Sequence, residues 1–83
     1  MSKLQVVNTR WVIRFKESST HVIHYFSHDL ELRTLKHSFS PLTEVPVNIV
    51  QSKDNPKPEF VDIELSSGNM IYCVPTNSFT VLS

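Results

Sequence analysis

Alanine is absent from this chain, and glycine and cysteine occur once each. Without the best helix former, a helix-rich fold has little to build on. The single glycine, Gly68, leaves no glycine-rich loop to cradle a phosphate, which excludes the common nucleotide-binding motifs. The single cysteine, Cys73, excludes an intrachain disulfide and the cysteine framework of small secreted domains, so a reducing, cytoplasmic setting is expected. No apolar run approaches the roughly 18 residues of a membrane span, and Met1 to Val7 lacks a signal-peptide core, so no membrane partner is expected. Charge of one sign is missing too, because eight Lys and Arg balance eight Asp and Glu.

In place of these, 21 of the 83 residues are Val, Ile or Thr. Branched Cβ atoms suit a pleated, half-buried surface and lose rotamer freedom in a helix. The composition predicts an all-β protein, a single small β domain over residues 1–83. A domain this short buries only about 60 to 65% of its unfolded surface, so its core is small and homo-oligomerisation is open.

Hydrophobic period places the strands. Arg10 to Lys16 alternates Trp11, Ile13 and Phe15 with Arg10, Val12, Arg14 and Lys16, a strand with one wet face. Thr20 to Ser27 is β-branched and aromatic, and a turn at His28 and Asp29 leads it into Leu30 to His37 as a hairpin. A short helix over 29–39, with Asp29 as N-cap and Leu32, Leu35 and Phe39 on one face, competes for that stretch. Val45, Val47 and Ile49 line a further extended segment. Its Pro46 restricts it to an edge, a first ladder position or a bulge. Ser52 to Glu59, with no apolar residue, reads as a loop and as the most mobile segment. Val61, Ile63 and Leu65, a turn at Ser66 to Asn69, and Met70 to Val74 form the clearest hairpin, and Phe79 to Leu82 a last strand. The expected architecture is a small antiparallel barrel or bent sheet of five to six strands, SH3-like or OB-like. Trp11, Ile13, Phe15, Val61, Ile63, Leu65 and Tyr72 are its expected core.

Few side chains suggest chemistry. His21, His24 and His28 would share a helix face, but their neighbours are strand formers, and on a strand His21 points away from the other two. No cofactor and no metal is therefore expected. Cys73 lies in an apolar strand with nothing in the sequence to orient a base toward it, and Asp62 and Glu64 read as an ordinary strand face, so an enzyme is not expected.

The charges are segregated along the chain. Residues 1–40 hold six cations against three carboxylates, and the remainder reverses the balance. Arg10, Arg14 and Lys16 share one strand face, and the following hairpin is expected to bring Arg33 and Lys36 beside them. These five are the candidate partner-binding residues for an acidic protein surface or for phosphates. The functional expectation is a non-enzymatic binding module that covers or modulates a partner macromolecule, most simply a protein, after the pattern of small phage or mobile-element inhibitors. The alternative is a small β-barrel that binds single-stranded RNA or DNA through its basic N-terminal half.

Overall fold

A computed structural model describes residues 8–51 and 57–83. Seven strands are ordered along the chain: β1 (Trp11–Phe15), β2 (Ser19–Phe26), β3 (Leu32–Phe39), β4 (Val45–Gln51), β5 (Phe60–Leu65), β6 (Met70–Pro75) and β7 (Phe79–Val81). A single 3-10 turn, Thr76–Ser78, links the last two. The strands form one antiparallel sheet in the order β3-β2-β6-β5-β4-β1-β7. Residues expected as strand or helix over 29–39 are strand from Leu32 onward: Val, Ile and aromatic partners on β2 pair with them in unbroken register from Ser19↔Phe39 to Phe26↔Leu32. The helical reading is thereby corrected.

The strand count exceeds the expected five to six, and among the described residues β3 and β7 end the sheet without pairing to each other. The sheet is bent but not closed into a barrel. Its curl is visible in Phe39 on β3, whose ring lies 5.0 Å from that of Phe15 on β1 although four strands separate the two in the order. Inside the curl, Ile13, Phe15, Ile23, Phe39, Val47, Ile63, Ile71, Val74 and Phe79 form one buried cluster, with Val61 and Leu65 partly buried against it.

Two expected core residues lie elsewhere. Trp11, the first residue of β1, stands outside the buried cluster and is 37% exposed. Tyr72 is 41% exposed, because a β-bulge rephases β6. Val61 pairs with Val74 and Ile63 with Ile71, so Asp62 stands opposite both Tyr72 and Cys73. Ile71 and Val74 consequently both face inward, and strict alternation fails between them. Cys73 takes the bulge geometry at φ 55°, and its N–H donates to Asp62 Oδ1 at 3.1 Å. Asp62, only 5% exposed, is thus the side-chain acceptor for a backbone donor that the ladder bypasses.

Pro46 sits in an interior strand, opposite Val12 of β1. The position tolerates it because the Val12 N–H and carbonyl are directed to Ser83 and Leu82 rather than to β4, and because β5 begins to pair with β4 only at Val47↔Leu65. No ladder donor is lost there. The segment expected to be a loop over Ser52 to Glu59 lies largely outside the described residues, as does Met1 to Val7; Lys57 to Glu59 form a bend and turn into β5.

Candidate partner-binding surface

The hairpin of β2 and β3 differs from the rest of the sheet. Leu32 to Ser38 are all exposed, on both faces of the strand, and only Phe39 is buried. The hairpin joins the body through one paired position, His24↔Met70, and through the edge-on contact of the His24 and Tyr72 rings, 4.7 Å apart. Its lower end is anchored by aromatic packing: Phe15 lies 4.9 Å from His21 and 5.0 Å from Phe39, and His37 stands edge-on to Phe39. Burial at this anchor pushes the His21 imidazole below its ordinary pKa of 6.5, and Ser19 Oγ lies 2.9 Å from its Nε2.

Pairing across the hairpin sorts its side chains. His21 and His37, Ile23 and Leu35, and Tyr25 and Arg33 share the inward face; Val22 and Lys36, His24 and Thr34, and Phe26 and Leu32 share the outward one. A concentration of large apolar side chains results. On the outward face Phe26 is 70% exposed, Leu32 59% and Val22 43%, while Leu35 is exposed on the opposite face.

At the tip, the Leu30 N–H donates to the Ser27 carbonyl, and the Ser27 N–H donates to the Glu31 carbonyl. This three-residue connection requires a left-handed residue at its last position, ordinarily glycine. The β5–β6 turn repeats the same bonds, Gly68 N–H to Leu65 carbonyl and Leu65 N–H to Asn69 carbonyl, and there Gly68 occupies the left-handed position at φ 88°. In the β2–β3 turn that place is held by Leu30, at φ 62° and 82% exposed. A leucine held left-handed costs about 1–2 kcal/mol relative to an ordinary conformation. Here it recovers no buried contact. Beneath it, the Ser27 hydroxyl donates to the Asp29 carboxylate, and this bond, with the backbone N–H groups of Asp29 and Glu31 and with Arg33, holds that carboxyl below the usual carboxylate range.

The sheet order does not make the five basic residues neighbours. Arg10, Arg14 and Lys16 do lie exposed along β1, but β1 pairs with β4 and β7, not with the hairpin, so Arg33 and Lys36 are not placed beside them through the sheet. Arg33 and Lys36 moreover occupy opposite faces of β3. Arg14 is engaged by Glu44 at 3.4 Å, and Arg33 by Asp29 and Glu31 at 3.3 Å each. Arg10 is held through its backbone N–H, which donates to Asn48 Oδ1. Trp11 and Phe15 face the other side of β1 from Arg14, which separates the rings from the charges.

Two open depressions lie outside the hairpin tip. A depression of about 370 Å³ is lined by Lys16, Glu17, Ser18, Ser19, Asn77 and Ser78, all polar, and one of about 280 Å³ lies between the end of β3 and the start of β4. Among the described residues, no three His, Cys, Asp or Glu side chains are grouped to hold a metal ion, and no helix is long and apolar enough to cross a membrane. No protein-family model, no curated protein and no solved structure matches this chain.

The apolar tip was not legible as a site in the sequence. The usable signal was local: Phe26, Leu30, Leu32 and Leu35 crowd one turn, and a strand alternation cannot turn all four inward.

Proposed function

We propose that the chain is a non-enzymatic binding module that covers a partner protein through the outward face and tip of the β2–β3 hairpin. The observation that carries this reading is Leu30, an exposed leucine kept at a left-handed turn position where the same turn elsewhere in the chain has glycine. Strain retained without a compensating contact inside the chain is accounted for by a contact outside it. Phe26 and Leu32 extend the apolar surface, and Val22 and the His24–Tyr72 pair continue it toward the body. Lys36 at its margin favours a partner that is apolar at the centre and acidic at the rim. Covering a working surface of the partner would make the module inhibitory.

The basic half is an accessory in this reading. Two of its five cations are already engaged by carboxylates, which weakens the case for a phosphate-tracking groove. The test is capture from native extract with wild-type chain and with Phe26→Asp, Leu32→Asp, both verified as folded by circular dichroism. A protein retained by wild type after nuclease treatment and lost by the variant supports the proposal. Capture abolished by nuclease, or unchanged in the variant but abolished by Arg10→Glu, Arg14→Glu, would replace it with the nucleic-acid reading or with a site on β1.

A further inference from the structure

Beyond the partner-facing surface, the hairpin carries a second feature, the outer edge of β3. Among the described residues it ends the sheet, so along Leu32 to Phe39 no described strand pairs with one side of the backbone. The turn determines which groups point outward. The Ser27 N–H to Glu31 carbonyl bond makes that pair a hydrogen-bonded one. Alternation along an antiparallel ladder then directs Arg33, Leu35 and His37 toward β2, and the N–H and carbonyl groups of Leu32, Thr34, Lys36 and Ser38 away from the sheet. This is a long edge without a proline or a bulge, the kind that natural sheets usually shield.

We propose that this edge pairs antiparallel with β3 of a second copy of this chain, about a two-fold axis through Thr34. Among the registers centred on Arg33 to His37, side-chain charge selects one. Antiparallel pairing of identical strands places the two-fold perpendicular to the sheet, so residues opposite one another must share a face. An axis at Arg33 would set it against the partner's Arg33, and an axis at Lys36 would set it against the partner's Lys36. An axis at Leu35 would set Arg33 against the partner's His37, and one at His37 would oppose the two histidines. With the axis at Thr34, Leu32 lies opposite the partner's Lys36 and Arg33 opposite the partner's Leu35. Glu31 then lies opposite the partner's His37. This register faces no cation with a cation, opposes a carboxylate to an imidazole, and lays two long basic side chains along leucines that are exposed in the single chain. It joins the two sheets into one, with both outward apolar faces on the same side, so that a partner protein meets a doubled surface.

The pairing does not depend on the partner-binding reading and is tested separately by sedimentation equilibrium at about 100 µM, where a Kd of about 10 µM would leave most chains paired. Wild type is expected to be dimeric. Thr34→Pro removes an outward N–H without touching the β2–β3 ladder, and Thr34→Lys places two ammonium groups at the axis; both are expected to be monomeric with unchanged circular dichroism. Glu31→Lys and His37→Glu are each expected to weaken the dimer, and the double variant to restore it, which no other register predicts. A monomeric wild type overturns the proposal, as does a dimer indifferent to both Thr34 substitutions. Failure of the double variant to restore pairing overturns the register. A monomer that still captures its partner protein through Phe26 and Leu32 would leave the proposed function standing without the dimer.

Discussion

Replacing Leu30 with glycine is expected to make the protein more stable although it removes a large apolar side chain. The side chain is 82% exposed, so its loss forfeits little burial. Its backbone stands at φ 62°, and releasing a non-glycine residue from the left-handed region returns about 1–2 kcal/mol. Glycine gives back about 0.5–1 kcal/mol of that through its greater freedom in the unfolded chain. The net expectation is a gain of about 0.5–1 kcal/mol, a rise of a few degrees in Tm for a chain of this length. Gly68→Leu supplies the reciprocal measurement, because the same hydrogen bonds surround Gly68 at φ 88°. It is expected to destabilise by about 1–2 kcal/mol. The assay is urea unfolding with the slope m compared across all three proteins, so that a midpoint shift reads as stability. Partner capture, measured in parallel, is expected to weaken in Leu30→Gly. The reasoning is refuted if Leu30→Gly is less stable than wild type while Gly68→Leu behaves as expected, for then the leucine side chain contributes to the fold itself.

Three further outcomes are expected. Ile63→Ala, at a fully buried position, should lose about 2–5 kcal/mol in the same urea assay, and a negligible midpoint shift would contradict the inward register of β5. Asp62→Ala should lose about 1–3 kcal/mol by leaving the Cys73 N–H without its acceptor, and the amide exchange rate of Cys73 should rise more than that of Ile71. For pH, burial lowers the folded-state pKa of His21 below 6.5, so the unfolded chain binds the extra proton first. The stability this group contributes is present above pH 6.5 and is lost as pH falls from there through the lower folded-state value. With its cross-strand neighbour His37 retained, His21→Gln should flatten the stability profile across that window, and an unaltered slope would count against burial as the cause.

The parts of the fold that were legible in the sequence are those in which local pattern and tertiary role agree. Ile13 and Phe15 alternate with Arg14 and are buried, and Ile63 lies where its alternation with Asp62 and Glu64 placed it. The β5–β6 turn was visible because glycine marks the position that needs it. Elsewhere non-local effects prevailed. Nothing in Met70 to Val74 announces the bulge, which depends on a carboxylate on the neighbouring strand, so Tyr72 was assigned to the wrong face. Strand order was equally hidden: β1 and β2 are adjacent in sequence but not in the sheet, so the basic residues of β1 and β3 do not lie on neighbouring strands. The tip was missed for a third reason. Leu30, Leu32 and Leu35 were assigned neither to the core nor to a site, and only the pairing register shows how little of the hairpin the body of the sheet reaches.

The position of β1 also bears on how the chain assembles. It lies between β4 and β7, with Trp11 opposite Val47 and Ile13 opposite Val81, so its two ladders join the first strand to the middle and to the last. Such pairings close long loops before they return any energy, and they slow folding into the range of about milliseconds to seconds. The two hairpins, held by adjacent segments, can form on the scale of about microseconds. Folding is therefore expected to proceed from preformed hairpins to a late step in which β1 docks and β7 covers its remaining side. During synthesis on the ribosome that step must wait for Phe79 to Val81, and until then Ile13 and Phe15 lie beside an unfilled strand position.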